Sequence, residues 1–187
     1  MRSVGKVNRR SFVCYAAIGV AKALLGESKP AISSARFTRI YLDKHTGDIH
    51  IVNANGKDVS VPKRPPFEAV RDPKLAENGL AAGWLVEMKT DANYPVPVGV
   101  AIFSEREGVK IFGSSQLPVI MCWEFFSNGK QLGFSSHGSH GADVERTTYE
   151  LYDIQTGRLI SDWDDQRSGA APDWVNALDK LESSVSK

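Results

Sequence analysis

The chain has 187 residues, is 42% hydrophobic and 24% charged, and carries 16 Gly and 9 Pro. That is the composition of an ordinary globular protein of one domain or two small ones, and it excludes collagen-like, low-complexity and wholly disordered architectures. The net charge of +1 is split: residues 1–35 hold six basic residues against Glu27 alone (+5), leaving −4 on a body without the basic face that nucleic-acid binding requires.

In chain order, Asn8-Arg9-Arg10-Ser11-Phe12-Val13 comes first. It resembles the twin-arginine export signal: a polar residue, two arginines, any residue, then two apolar ones. The apolar stretch Val13–Ala21 that follows has the length of a signal h-region and is too short to cross a bilayer. An amphipathic surface helix would show a polar face, and residues 12–21 show none. Residues 1–35 are therefore expected to be an export signal or flexible segment, and the mature protein periplasmic or secreted; the twin-arginine and general secretory routes both stay open. Ala21-Lys22-Ala23 and Ser33-Ser34-Ala35 both offer small-x-small cleavage patterns. Cys14 opens the apolar run instead of closing it, which rejects lipidation, and its removal leaves Cys122 without a disulfide partner. No apolar run reaches the roughly 18–20 residues of a membrane-spanning helix.

Residues 36–187 read as one β domain with an internal repeat of about fifty residues. Asn78-Gly79-Leu80-Ala81-Ala82-Gly83-Trp84 matches Asn128-Gly129-Lys130-Gln131-Leu132-Gly133-Phe134, and Phe103–Ile111 matches Tyr152–Ile160. Leu42–His50 is a third, partial copy. A repeat of this period points to stacked supersecondary units. Asn-Gly tolerates the positive φ of tight hairpins, and Asp-x-x-Thr-Gly reverses the chain before a second strand. Strands are predicted over 37–42, 48–53, 80–88, 98–104, 109–112, 119–126, 130–136, 147–154 and 158–163. In the strand 119–126, Val119, Met121, Trp123 and Phe125 alternate with Ile120, Cys122, Glu124 and Phe126, so both faces should be covered. Residues 62–78, with four prolines, read as a long irregular connection. After Pro172 the period changes: Trp174, Leu178 and Leu181 fall at i, i+4 and i+7, predicting a helix over 172–184.

Phe126-Ser127-Asn128-Gly129-Lys130 followed by an apolar strand resembles the blade motif of TolB-like and WD-type β-propellers, and Tyr149–Leu159 resembles the third strand, turn and fourth strand of such a blade. The resemblance implies blades at 36–62, 67–113 and 118–163, the first incomplete and the second degenerate. A closed propeller takes 4–8 blades, so the expected fold is mainly β: antiparallel blade-like sheets, a partial propeller or open sandwich, with a C-terminal helix. Self-association that completes a ring is the other arrangement. Tyr94-Pro95-Val96-Pro97 together with Tyr149–Leu159 and the closing helix also resembles small exported bacterial proteins of unknown function. Neither resemblance implies a specific activity.

Candidate site residues lie on two loops, 89–97 with Tyr94 and Pro95, and 135–146 with His137, Ser139, His140 and Asp143. His137 and His140, with Asp143 and Glu145 nearby, have the chemistry to bind a divalent metal. They lack the helical spacing of a rigid site, and an incidental Gly/Ser loop is the favoured reading. Ser139 has no Gly-x-Ser-x-Gly elbow. Cys122, inside an apolar strand, reads as a small hydrophobe. Phosphate-binding glycine motifs are lacking, so no cofactor is expected. The expected function is a non-catalytic binding or interaction module for a protein or small-molecule ligand; the alternative is a metal-dependent hydrolase centred on His137 and His140.

Overall fold

A computed structural model describes residues 36–63, 66–89, 94–139 and 145–185. The export signal read at 1–35, and with it His140 and Asp143, lies outside the described residues. The described residues belong to a unit running from Ser33 to Lys187. It holds three antiparallel sheets: β1 (Phe37–Leu42), β2 (Ile49–Asn53) and β3 (Asp58–Val61); β4 (Ala69–Leu75), β5 (Ala82–Lys89), β6 (Pro95–Ser104) and β7 (Gly108–Phe112); β8 (Val119–Phe126), β9 (Gln131–His137), β10 (Thr147–Asp153) and β11 (Leu159–Asp164). Each sheet is an up-and-down meander of consecutive strands. A helix, α1 (Asp173–Val185), follows. The protein is mainly β with a C-terminal helix, as the sequence predicts.

The sheets stack face to face, and the second sheet packs one face against each of the other two. Phe37, Ile49 and Ile51 of the first sheet pack against Val70, Trp84 and Val86 of the second. The opposite face of the second sheet, with Leu85, Val100 and Ile102, packs against Ile120, Trp123, Leu132 and Phe134 of the third. Trp84 and Phe134, paired by the repeat, each face the preceding sheet, so equivalent positions perform equivalent packing.

Both ends of the stack are finished. On the outer face of the first sheet, Tyr41 stacks on His50 (ring centroids 5.0 Å apart) and donates to Asp58 at 3.0 Å, while the Arg39 guanidinium lies 4.8 Å from the Tyr41 ring. The far face of the third sheet, with Cys122, Phe126 and Tyr149, is covered by Val175, Leu178 and Leu181 of α1. A polar terminal face and a covering helix are what end a repeat stack in water. The apolar stripe of α1 includes Val175, which is more deeply buried than the predicted Trp174 and Leu181.

Three expectations need correction. The segment 62–78 is not wholly irregular: it contains β4, Pro73 included. β4 is an edge strand, and its pairing with β5 is interrupted between Arg71 and Lys74, where Asp72 takes φ +51. A bulge on an edge is where a strand tolerates proline. In β8 the alternation breaks, because Ile120 pairs with Ser136 while Cys122 pairs with Ser135. The extra residue, Met121, is left exposed, and Ile120 joins Trp123 and Phe125 on one face. Finally, the turn at Asp43–Gly47 shares its chemistry with Asp153–Gly157 but lies at the other end of the stack. Phe37, at the start of β1, donates its N–H to Gly79 O at 2.6 Å, whereas the β1–β2 turn shares a surface depression with Glu68, Ala69 and Val70 at the start of β4. Leu42–His50 is thus a first-to-second-strand turn at the end where the other two sheets place their second-to-third-strand loops.

Candidate functional site

The meanders give the stack two unlike ends. The β4–β5, β6–β7, β8–β9 and β10–β11 turns occupy one; the end of β5, the start of β6, the end of β9 and the start of β10, with Tyr94, Pro95, His137 and Ser139 beside them, occupy the other.

At the loop end, Tyr94 is exposed and precedes β6, which begins at Pro95. Ser139 is exposed. His137, the last residue of β9, is engaged: its Nε2 lies 3.0 Å from Thr147 Oγ1 and 3.3 Å from Glu182 Oε1. Ser135 donates to the other oxygen of Glu182 at 2.7 Å, and Cys122 Sγ lies 3.3 Å from Ser135 Oγ. These contacts tie β8, β9 and β10 to α1. Burial pushes the Cys122 thiol above its ordinary pKa, and Ser135 opposes that only in part, so the thiol stays protonated. Among the described residues, no three His, Cys, Asp or Glu side chains gather so as to hold a metal ion.

A second polar cluster fixes the connection between the second and third sheets. Glu150 is fully buried and accepts the Ser115 N–H (3.1 and 3.2 Å to its two oxygens) and the Ser115 hydroxyl. Tyr152 also points its hydroxyl at Glu150, at 3.4 Å. Burial first, and that carboxylate second, push the Tyr152 pKa up to about 12. A buried carboxylate satisfied this way anchors a linker.

At the turn end, a cavity of about 350 Å³ opens where all three sheets meet. Phe37, Leu80, Ala81 and Ile154 supply apolar lining; Glu105, Arg106, Glu107, Lys130 and Asp153 supply charge. Glu107 pairs with Lys110, which also donates to the main-chain oxygens of Ile154 (3.3 Å) and Gln155 (2.7 Å). The Asp153 carboxylate accepts the Thr156 N–H and hydroxyl, both at 2.7 Å, and these bonds hold its pKa below the ordinary aspartate value. Asn78 crosses between the sheets, donating to Asn128 O while its own oxygen receives the Leu80 N–H at 2.8 Å. The volume falls in the range of small-molecule pockets, which combine apolar walls with a few polar groups. Sequence reasoning did not nominate these residues, although the repeat alignment that pairs Asn78 with Asn128 also places their two turns side by side.

No protein-family model matches the sequence, and no curated protein matches it. Solved structures do. The β-propeller domain of the Trilobed protease from Pyrococcus furiosus, described as having an open velcro topology, is 14% identical with a TM-score of 0.44, over 74% of this chain and 46% of that one. Pyrococcus horikoshii acylaminoacyl peptidase is 12% identical with a TM-score of 0.42, over 74% and 26%. Kuenenia stuttgartiensis hydrazine synthase is 13% identical with a TM-score of 0.43, over 72% and 36%. The chain thus spans between about a quarter and a half of the length of these proteins. Similarity at this level carries no argument about activity.

Proposed function

We propose that this chain is an exported, non-catalytic binding module: three blades of the TolB-like or WD type, the first incomplete, stacked in an open arc that recognises a ligand at its turn end. The observation that carries the reading is the turn-end cavity, where turns of the second and third sheets meet Phe37 of the first around an apolar lining. Rigid sheets presenting adaptable turns are a common platform for recognition. The engagement of His137 with Thr147 and Glu182 supports binding over the metal-dependent hydrolase reading, because it spends that imidazole on holding α1. The Asn8–Val13 motif supports export.

N-terminal sequencing of native protein tests export: a start within residues 22–36 is expected, and a start at Met1 or Arg2 overturns it. Fragment screening of the full chain by NMR tests binding. Hits that shift the amides of Leu80, Ala81, Lys130 and Ile154 are expected. Stoichiometric zinc together with a hydrolytic activity, both lost in His137→Ala, would favour the hydrolase.

A further inference from the structure

A second cavity, of about 130 Å³, lies between the first and second sheets. Ile49 and Val61 wall it on one side; Trp84, Val86 and Ala101 form its floor on the other. Ile49, Trp84, Val86 and Ala101 are buried, whereas Val109 and Ile111 of β7 are 38% and 50% exposed, so the cavity opens beside β7. Among the described residues that line it, no side chain carries an oxygen and Lys63 alone carries a charge. The Lys63 ammonium stands at the β1–β2 turn, 3.7 Å from the place a Cβ on Gly47 would take. A hydroxyl or ammonium group carried inside would shed its water and find no side-chain acceptor, and a buried carboxylate would lie among aliphatic carbons. Size narrows the guest further. Drug-sized sites run to about 300–1,000 Å³, whereas an apolar cavity of about 150 Å³ lined by aliphatic and aromatic side chains stays dry and takes benzene.

We propose that this cavity takes a small uncharged apolar molecule with the bulk of one aromatic ring. The ring enters past Val109 and Ile111 and lies between Ile49 of the first sheet and Trp84 and Ala101 of the second. The first sheet has three strands and the second four, and β7 is an edge strand. The guest therefore takes from water an aliphatic face of β7 that the shorter first sheet leaves open. Neither sheet alone encloses the site. Because no charge takes part, binding should not weaken as salt rises. The site is separate from the turn-end cavity and does not rest on the binding reading above.

The test is an NMR titration of the full chain with benzene, benzylamine and benzoate. Benzene is expected to give saturable shifts at the amides of Ile49, Val86, Ala101 and Ile111, and to leave those of Leu80 and Ile154 at the turn end unmoved. Benzylamine and benzoate bring the same ring with a charge to an aliphatic mouth and should bind there about tenfold more weakly, or worse. Ala101→Leu adds carbon inside the cavity and should abolish the saturable shift. Ile111→Asp sets a carboxylate at the mouth, on an exposed side chain, and should weaken benzene by roughly three- to tenfold. That second variant leaves the core untouched, so it decides the matter if Ala101→Leu does not fold. Shifts that never saturate, charged probes that bind as tightly as benzene, or benzene binding unaltered by Ile111→Asp would overturn the proposal. Benzene shifts confined to Leu80 and Ile154 would also overturn it, while the turn-end reading would stand.

Discussion

Asn78 donates through Nδ2 to the main-chain oxygen of Asn128, its own counterpart fifty residues along the repeat. Four residues earlier, Lys74 lies 3.4 Å from Glu124, at the same separation, and donates to Trp123 O at 2.6 Å. The repeat is thus more than a record of similar strands: equivalent positions of neighbouring sheets touch. The contact is tight at Gly129, where an added Cβ would come within 2.6 Å of the Ala76 Cβ at a φ of +76°.

Gly129→Ala should therefore cost more than backbone strain alone. Gly157 has a similar φ of +71° with open space around it. Gly157→Ala is expected to lose about 1–2 kcal/mol, the cost of a left-handed conformation for a residue with a Cβ. Gly129→Ala adds overpacking and should lose about 2–5 kcal/mol. Urea unfolding of the two variants measures the difference; equal losses would mean that the turns do not press on each other.

Trp123 is fully buried between the second and third sheets, and its Nε1 has no hydrogen-bond partner among the described residues. A buried donor without a partner costs about 1–3 kcal/mol. Trp123→Phe removes that donor and keeps most of the ring, so its loss should stay within about 1.5 kcal/mol. Trp123→Ala should lose about 3–5 kcal/mol. A Phe variant as damaged as the Ala variant would show that the indole N–H is satisfied.

Alkali should loosen the third sheet. Burial, then the Asp179 carboxylate that its hydroxyl bonds, push the Tyr149 pKa up, and burial, then Glu150, raise that of Tyr152. The folded state holds these protons more tightly than the unfolded one. The stabilisation is fully present below the ordinary tyrosine pKa of 10.0 and is lost as pH rises from there through the folded values. Stability measured from pH 9 to 12 should fall with pH, and less steeply in Tyr149→Phe. An identical slope in that variant would remove Tyr149 from the account.

Much of this arrangement was legible in the sequence for a physical reason: turn chemistry is local. Asp153 and Thr156 close their turn with their own side chains, and Asn128 and Gly129 take positive φ where the Asn-Gly signal says they should. Pro73 hid β4 because proline argues against a strand unless the strand is known to lie at an edge. The bulge at Met121 broke an alternation that composition alone could not register. The cavity was illegible for a further reason. Phe37, Leu80, Arg106, Lys130 and Ile154 come from five separate segments and meet only once the sheets stack. The 137–143 segment is chemically conspicuous in the sequence, yet His137 is engaged with Thr147 and Glu182.

The finished ends of the stack bear on assembly. Among the described residues, the polar network of Arg39, Tyr41, His50 and Asp58 at one end and α1 at the other leave no bare apolar sheet face for ring closure. Sedimentation velocity of the full chain should show a monomer. A chain ending after Gly169 uncovers Cys122, Phe126 and Tyr149 and should self-associate. A full-length assembly of stacked copies would contradict the capping role.

The most direct test of recognition at the turn end is hydrogen–deuterium exchange on the full chain with and without the tightest-binding fragment from the NMR screen. The account predicts added protection at residues 78–81, 104–107, 129–130 and 153–155, with 94–97 and 137–139 unchanged. Protection confined to those two segments, or no change anywhere in the stack at saturating fragment, would contradict it.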